Sequence, residues 1–520
     1  MTEPLNICAT RRRYVTACVL FWLPAGLTIA PLILLFTERG MSLAAIAGFF
    51  AAHSLTAAAL ELPTGGLSDV LGRRTVLAAA GLLNLTAFIL LGLGTTPWVL
   101  TFGMTLMGAG RALSSGPAEA WYVDIVHARS GPDADLRPGL ARGKSATSAA
   151  LATGTLLGGA VPWLLATGPD VGTRLSEATS GLILPLSVPL LSAAAIEIAF
   201  VLYVRTALRE PPRKAATLRG VLQGIPATIA SGLRLGGRDA MVRRILLSAA
   251  AAGSALAAIE LLTPGRAATL TGASESGAVV FASLACAGFL CSGLGSHLAP
   301  LIARLAGSGE RAVLASLGTS TGGLLLLGAT AASTGAPATA LAATGYGLVY
   351  LGLGSAGPSE NDLLHRRVTS AGRATALSVQ SLALQLVGAL TGLFVGVLPP
   401  GPIPWLLGGA VLLTGALLWI QRGKPTPATA TTVNDDSAAH HGVALFERGC
   451  SAPLLTDGGA ELHSSDRSCP SSGRQRSVVA PKSGPIHQAP EAGPRGTNGA
   501  RTRRLPLKSL VSRSPFVWGS

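Results

Sequence analysis

Five carboxylate or guanidinium side chains stand well inside long apolar runs: Glu61, Arg111, Glu119, Glu197 and Glu260. A charge at bilayer depth costs several kcal/mol even on the most lenient scales, so it faces a cavity, a partner or water. A carboxyl in such a place does one kind of chemistry, the binding and release of a proton, which burial and nearby charges tune. Glu61, Arg111, Glu197 and Glu260 are therefore the proton-coupling candidates. Counted at about 1.5 Å per residue from Trp98, Arg111 lies roughly 20 Å along its run, slightly past the midplane. Glu119 follows two turns on in the same run, at about the depth of Glu61. His53 and Glu119 are cavity candidates, although a lone histidine in an apolar run is more often a hydrogen-bonded core residue. Glu61 has a second reading as the partner of a loop arginine.

The stretch Gly65-Gly66-Leu67-Ser68-Asp69-Val70-Leu71-Gly72-Arg73-Arg74 joins two apolar runs and reads as a tight charged loop. Its glycines allow close turns, and Asp69, Arg73 and Arg74 cannot rest in hydrocarbon. No Walker loop, metal-ligand cluster or nucleophile elbow occurs anywhere in the chain, so neither an enzyme nor an ATP-driven device is expected, and no cofactor or metal is implied. The six cysteines form no CxxC pair.

The elements that position these groups are set by composition. Mean hydropathy is +0.50 and 12% of residues are charged, against about 25% in a soluble domain. Each spanning helix needs about 20 apolar residues, and twelve such segments are legible. They run Tyr14–Phe36, Leu43–Gly66, Thr75–Gly94, Trp98–Val123, Lys144–Ala166 and Leu182–Val204, then Arg244–Pro264, Ala278–Ile302, Arg311–Ser333, Pro337–Pro358, Ala371–Leu398 and Ile403–Gln421. The fold class expected is all-α integral membrane, in four parts. Residues 1–204 form a first six-helix bundle, 205–243 a basic central loop, 244–424 a second bundle and 425–520 a disordered tail rich in Pro, Ser, Gly and Arg.

Loop charge orients the spans. The net charge of +15 suggests nucleic acid until its distribution is read, for the cations lie between the apolar runs. With the amino terminus inside, 25 Lys/Arg up to Lys424 fall on the inner side, and three (Arg39, Arg174 and Arg266) fall outside. That bias places both termini in the cytoplasm. Trp98, Trp163 and Trp405 at outer helix ends, with Trp121 and Trp419 at inner ends, read as an aromatic belt. Arginine outnumbers lysine 35 to 5, the usage of a GC-rich bacterial genome, which points to a bacterial inner membrane.

The order G-x-L-S-D-x-x-G-R-R resembles the signature loop between helices 2 and 3 of the major facilitator superfamily, matched by Gly65, Leu67, Asp69, Gly72, Arg73 and Arg74. Leu106-Met107-Gly108-Ala109-Gly110-Arg111 is similar to the helix 4 motif whose arginine is tied to proton transfer, and Gly154-Thr155-Leu156-Leu157-Gly158-Gly159 to the antiporter glycine motif, which also reads as plain GxxxG packing. The resemblance implies two six-helix bundles related by a pseudo-two-fold axis, alternating access around a central site, and an ion pair between Asp124 and Arg73 that serves gating. It also implies a monomeric secondary transporter with lipid, protons and a small amphipathic molecule as its partners and no nucleic acid. The direction implied is efflux of a drug or secondary metabolite in exchange for protons. A proton symporter importing a nutrient is the alternative.

Overall fold

The computed structural model describes residues 7–131, 134–167, 171–210, 239–368 and 373–420, with Arg234 and Gly237 isolated in the central interval. The side chains of residues 62, 63, 65, 66, 69 and 373–375 lie outside that description. So do the remainder of the central loop and the whole of the tail expected to be disordered.

The first half comprises α1 (Ile7–Ile29), α2 (Leu32–Glu38), α3 (Leu43–Leu71), α4 (Arg73–Leu93), α5 (Pro97–Ser114), α6 (Pro117–Ser130), α7 (Arg137–Thr167), α8 (Val171–Ala178) and α9 (Val188–Ala207). The second comprises α10 (Ala240–Thr271), α11 (Ser274–Ala306), α12 (Gly309–Thr330), α13 (Ala336–Arg367), α14 (Arg373–Val397) and α15 (Pro402–Leu417). Among the described residues, nine helices are long and apolar enough to cross a membrane, and ten if α1 and α2 make one bent span. The apolar helices α5 and α15 complete the twelve. The bend of 41° between α1 and α2 follows from Pro31, which has no N–H for the helix ladder and whose ring crowds the preceding turn.

Three sequence expectations give way here. The stretch read as a loop is helical almost throughout: α3 continues to Leu71, and α4 starts two residues later. The break is Gly72 alone, at φ 104°, where a side chain would be strained. Buried packing keeps the glycine-rich turns helical, for the Thr64 hydroxyl donates to the Ala112 carbonyl of α5 at 2.9 Å. The fourth span is broken in its turn, at Ser115 and Gly116, with Gly116 left-handed at φ 98°. Arg111 thus closes α5 and Glu119 opens α6, so depth counted along one straight helix does not hold for Glu119. The tryptophan belt is also partial. Trp98 and Trp163 are exposed, whereas Trp121, Trp405 and Trp419 are buried. Their indole N–H groups explain two of the three, since Trp121 donates to the Arg209 carbonyl at 2.9 Å and Trp419 to the Ser248 hydroxyl at 2.6 Å.

Within the first half α1 packs on α7 and α9, α4 on α5 and α9, and α3 on α5; within the second, α13 packs on α11 and α12, and α10 on α14 and α15. The halves meet through α3 against α14 and α7 against α11. Gly154 and Gly158 of α7 lie on the α1 backbone near Leu23 and Leu27, while Gly159 lies on Ala278 of α11. The glycine motif is used for close helix approach, as small residues are in membranes.

Candidate functional site

Two ends of the molecule differ in what holds them. At the end carrying Arg39, Trp98 and Arg266, a single apolar core draws on both halves: Phe36, Ile46 and Ala47 pack with Ala258, Leu261, Ala278 and Val395. At the opposite end, which carries Arg73 and Asp124, the first half has a core of its own built from Tyr14, Phe21, Leu77, Trp121, Phe200 and Val204, among other first-half residues. The halves are therefore joined more by the first end than by the second.

The charged end of the first half is pinned by donors. Arg73, at the start of α4, sets its Nε 2.7 Å from Asp124 Oδ2 on α6, with side chains 18% and 38% exposed. Arg74 donates through its backbone N–H to the Glu210 carboxylate and through its guanidinium to the Arg205 carbonyl. Arg13 donates to the Ala207 carbonyl at 2.8 Å, and Trp121 reaches Arg209. Arg13 and Arg74 thus supply donors to the last carbonyls of α9, which have no partner within their own helix, and Trp121 holds the chain two residues past its end. Leu67 is half-buried nearby, and the side chain of Asp69 lies outside the described residues, like those of Gly65 and its neighbour Gly66.

Glu61 stands where the halves meet. Its Oε2 accepts from Ser381 Oγ and from Gln385 Nε2 of α14, both at 3.2 Å, and Gln385 Nε2 also donates to Ser381 Oγ at 3.1 Å. One carboxylate therefore links the two bundles through hydrogen bonds that depend on its charge. Ser381 and Gln385 were legible as a polar i, i+4 pair inside an apolar run, a signal the charged residues overshadowed. Arg111 is half-buried at the end of α5, close enough for its charge to act on His53, which is buried on α3 two turns before Glu61.

The other acids fall elsewhere. Glu119 is half-buried in the first turn of α6, near Tyr14 and Cys18 of α1. Glu197 is fully buried between α9 and α4, away from the second half: its Oε1 accepts from Asn84 Nδ2 at 3.2 Å, and both Glu197 Oε2 and Asn84 Oδ1 are buried without a partner. Glu260 is half-buried on α10, near enough to act on Tyr346 and Tyr350 of α13, whose rings lie 4.9 Å apart. The structure thus brings together Arg73 with Asp124 and Arg111 with His53, and sets Glu61, Glu197 and Glu260 in three separate places.

No family model matches the chain, and no curated protein matches it by sequence. The likeness is three-dimensional. The nucleoside transporter NupG superposes with a TM-score of 0.60 at 12% identity, over 79% of this chain and 98% of its own. A bacterial homolog of the human lysosomal transporter Spinster, inward-facing and unoccupied, gives 0.58 at 15%, over 81% and 96%. A D-xylose–proton symporter gives 0.58 at 16%, over 79% and 96%. At such identities the likeness is one of fold, and the chain has the twelve-helix, two-bundle fold of major facilitator transporters.

Proposed function

We propose that the chain is a secondary transporter in which two bundles, residues 1–204 and 244–424, rock about a central site and carry a small amphipathic molecule across the membrane. The observation that carries this reading is Glu61. It is a titratable carboxyl whose hydrogen bonds run from one bundle to the other, to Ser381 and Gln385. Bodies that must part and rejoin are held there by a contact that weakens when the carboxylate is protonated, because a hydrogen bond to a charged acceptor is stronger than one to a neutral one. Proton binding and bundle motion are then one equilibrium. The ion pair of Arg73 with Asp124 and the gating residues Gly65, Leu67, Asp69, Gly72 and Arg74 keep the first bundle's cytoplasmic end rigid while it moves. Glu260, with its two tyrosines, is the second site of proton coupling in this reading. Arg111 sets the field around His53, and Glu119 lines the approach from α6. Glu197 serves packing between α4 and α9.

The direction we assign is efflux, with protons running inward and both termini in the cytoplasm. Sparse charge along the spans suits an apolar cargo, and it is the charge pattern of the loops that supports the orientation. The experiment is a compound panel added to everted vesicles that hold a proton gradient. Collapse of the gradient by some compounds, absent in vesicles lacking the protein and in Glu61→Gln, supports proton-linked exchange. If no compound collapses it, exchange is wrong. If cells with the gene accumulate the same compounds rather than excluding them, the direction is uptake.

A further inference from the structure

One short sequence occurs twice. Ser114-Ser115-Gly116-Pro117-Ala118-Glu119 and Ser355-Ala356-Gly357-Pro358-Ser359-Glu360 share four of six residues, with small side chains at the other two. Each copy lies near the charged end of the fourth span of its half, so the pseudo-two-fold axis of the fold relates them. Their backbones differ. In the first copy the helix ends at Ser114, Gly116 is left-handed, and a new helix begins at Pro117. In the second, α13 runs unbroken through Gly357 and Pro358 to Arg367.

The straight copy is held by hydroxyl contacts with neighbouring helices. Pro358 has no N–H to give to the carbonyl of Gly354, four residues before it. That carbonyl accepts instead from the Ser296 hydroxyl of α11, at 3.0 Å. Ser355 donates to the Ser316 hydroxyl of α12 at 2.8 Å. Hydroxyls of adjacent helices are the usual means of satisfying a backbone group that proline has freed inside a membrane. The same kind of six-residue segment thus adopts both states in one molecule, and the straight state rests on two side-chain contacts.

The acid that ends each copy follows its backbone. Glu119, on the broken copy, is half-buried. Glu360, on the straight copy, is 6% exposed and has no hydrogen bond or ion pair among the described residues. The charged and titratable groups toward the same end of its own and the packed helices are Asp362, His365, Arg366 and Arg367 of α13, Asp239, Arg243 and Arg244 at the start of α10, His297 and Arg304 of α11, and Glu310 and Arg311 of α12. Asp362 pairs with Arg366 at 2.9 Å, Arg244 with Glu310 at 3.6 Å and Arg367 with Asp239 at 3.9 Å, and no ion pair joins any of these groups to Glu360 among the described residues. A carboxylate there has little access to water and no ion partner, whereas a protonated carboxyl is not charged at all.

Resting on the transporter reading above, we infer that Glu360 is a proton-carrying site of the second bundle. It holds one proton while α13 is straight and gives it to water on the cytoplasmic side when α13 breaks at Gly357 and Pro358, as the first copy is broken. The site takes H⁺ as its only ligand, and the carboxyl returns as carboxylate. Charge on Glu360 and a straight α13 exclude each other, so deprotonation drives the break and protonation reverses it.

The test needs no substrate. In full-length protein cleared of native cysteines, Leu364→Cys places a thiol one turn after Glu360, at a fully buried position. Its labelling rate is measured from acid to alkaline pH and divided at each pH by the rate in the same protein carrying Glu360→Gln, which cancels the thiol's own titration. The ratio is expected to rise about tenfold toward alkaline pH, the response of an equilibrium biased by one protonation. In an infrared pH titration, the protonated-carboxyl band lost on alkalinisation is expected to vanish in Glu360→Gln and to persist in Glu119→Gln. Ser296→Ala, which leaves the Gly354 carbonyl without its donor, is expected to speed labelling at every pH and keeps the inference testable if Glu360→Gln fails to fold. A flat ratio, an unchanged infrared band, or unaltered labelling in Ser296→Ala overturns it. A rising ratio with no compound moved by the panel would sink the transporter reading instead and leave a pH-driven hinge.

Discussion

The ion pair between Arg73 and Asp124 can be weighed and then removed. Two unit charges 4 Å apart at an effective dielectric of 20 attract by about 4 kcal/mol. The pair is closer than that, with Nε 2.7 Å from Oδ2, but the side chains are 18% and 38% exposed, so water screens much of the attraction. Between the value for exposed pairs and that for charge-assisted hydrogen bonds, about 1.4 kcal/mol is the expected net, or tenfold in an equilibrium. The pair ties the start of α4 to α6, so losing it lets the turn around Gly72 open. Ser68, 6% exposed in the last turns of α3, is the reporter. Ser68→Cys, in protein cleared of other cysteines, is labelled with a maleimide alone and combined with Arg73→Gln, with Asp124→Asn and with both. Each single change is expected to speed labelling about tenfold, and the double change to add no more than about twofold, because partners of one contact are not additive. A double mutant about a hundredfold faster, the product of the singles, would refute a specific pair, and so would no change in either single.

The remaining expectations are briefer. Arg39 donates to the carbonyls of Leu91, Gly92 and Gly94 at the end of α4 and to the Ser187 hydroxyl. A lysine has no planar fork to reach them, so Arg39→Lys should cost about 2 kcal/mol in thermal unfolding, close to Arg39→Ala; full rescue by lysine would contradict this. Glu197→Gln should be neutral or stabilising by up to about 1 kcal/mol, since an amide is cheaper to bury than an acid with one orphaned oxygen, and gradient-driven flux should be unchanged. Loss of flux would move Glu197 from packing into coupling. For topology, an impermeant thiol reagent should label Thr96→Cys and Gly335→Cys, both exposed, from outside intact cells, and Ala216→Cys only after the cells are opened. External labelling at position 216 would invert the orientation.

How much of this was legible depended on whether the signal was periodic or local. The twelve segments follow from length and hydropathy, which tertiary contacts hardly alter, and their placement needed adjustment only at ends that run beyond the apolar core, as at Arg137 and Thr271. The breaks were harder. Gly65 and Gly66 suggested a turn where packing against α5 keeps a helix, while Gly116 made one inside a run that looked continuous. A glycine permits both outcomes, so neighbouring helices decide. The same holds for Gly357 and Pro358, whose straight backbone depends on Ser296, a residue more than fifty positions away. At the candidate site the charged residues were visible because charge in hydrocarbon is rare. Their partners gave a weaker signal: Ser381 and Gln385 form a polar pair one turn apart inside an apolar run, and Asn84 is a single polar residue in another, so what each one faces shows only once the helices are packed.

The central claim is that the contact from Glu61 to Ser381 and Gln385 couples a proton to bundle motion. Its direct measurement is flux in proteoliposomes across an imposed pH gradient, using a compound found in the panel, for wild type, Glu61→Gln and Glu260→Gln. Replacing the charged acceptor with an amide weakens two hydrogen bonds by about 1 kcal/mol each, roughly a thirtyfold bias against the joined state, and removes the titration itself. Glu61→Gln is predicted to bind the compound and to exchange it at equilibrium, with gradient-driven flux lost and its pH dependence flat. Gradient-driven flux that survives Glu61→Gln at the wild-type rate, with its pH dependence intact, would contradict the account.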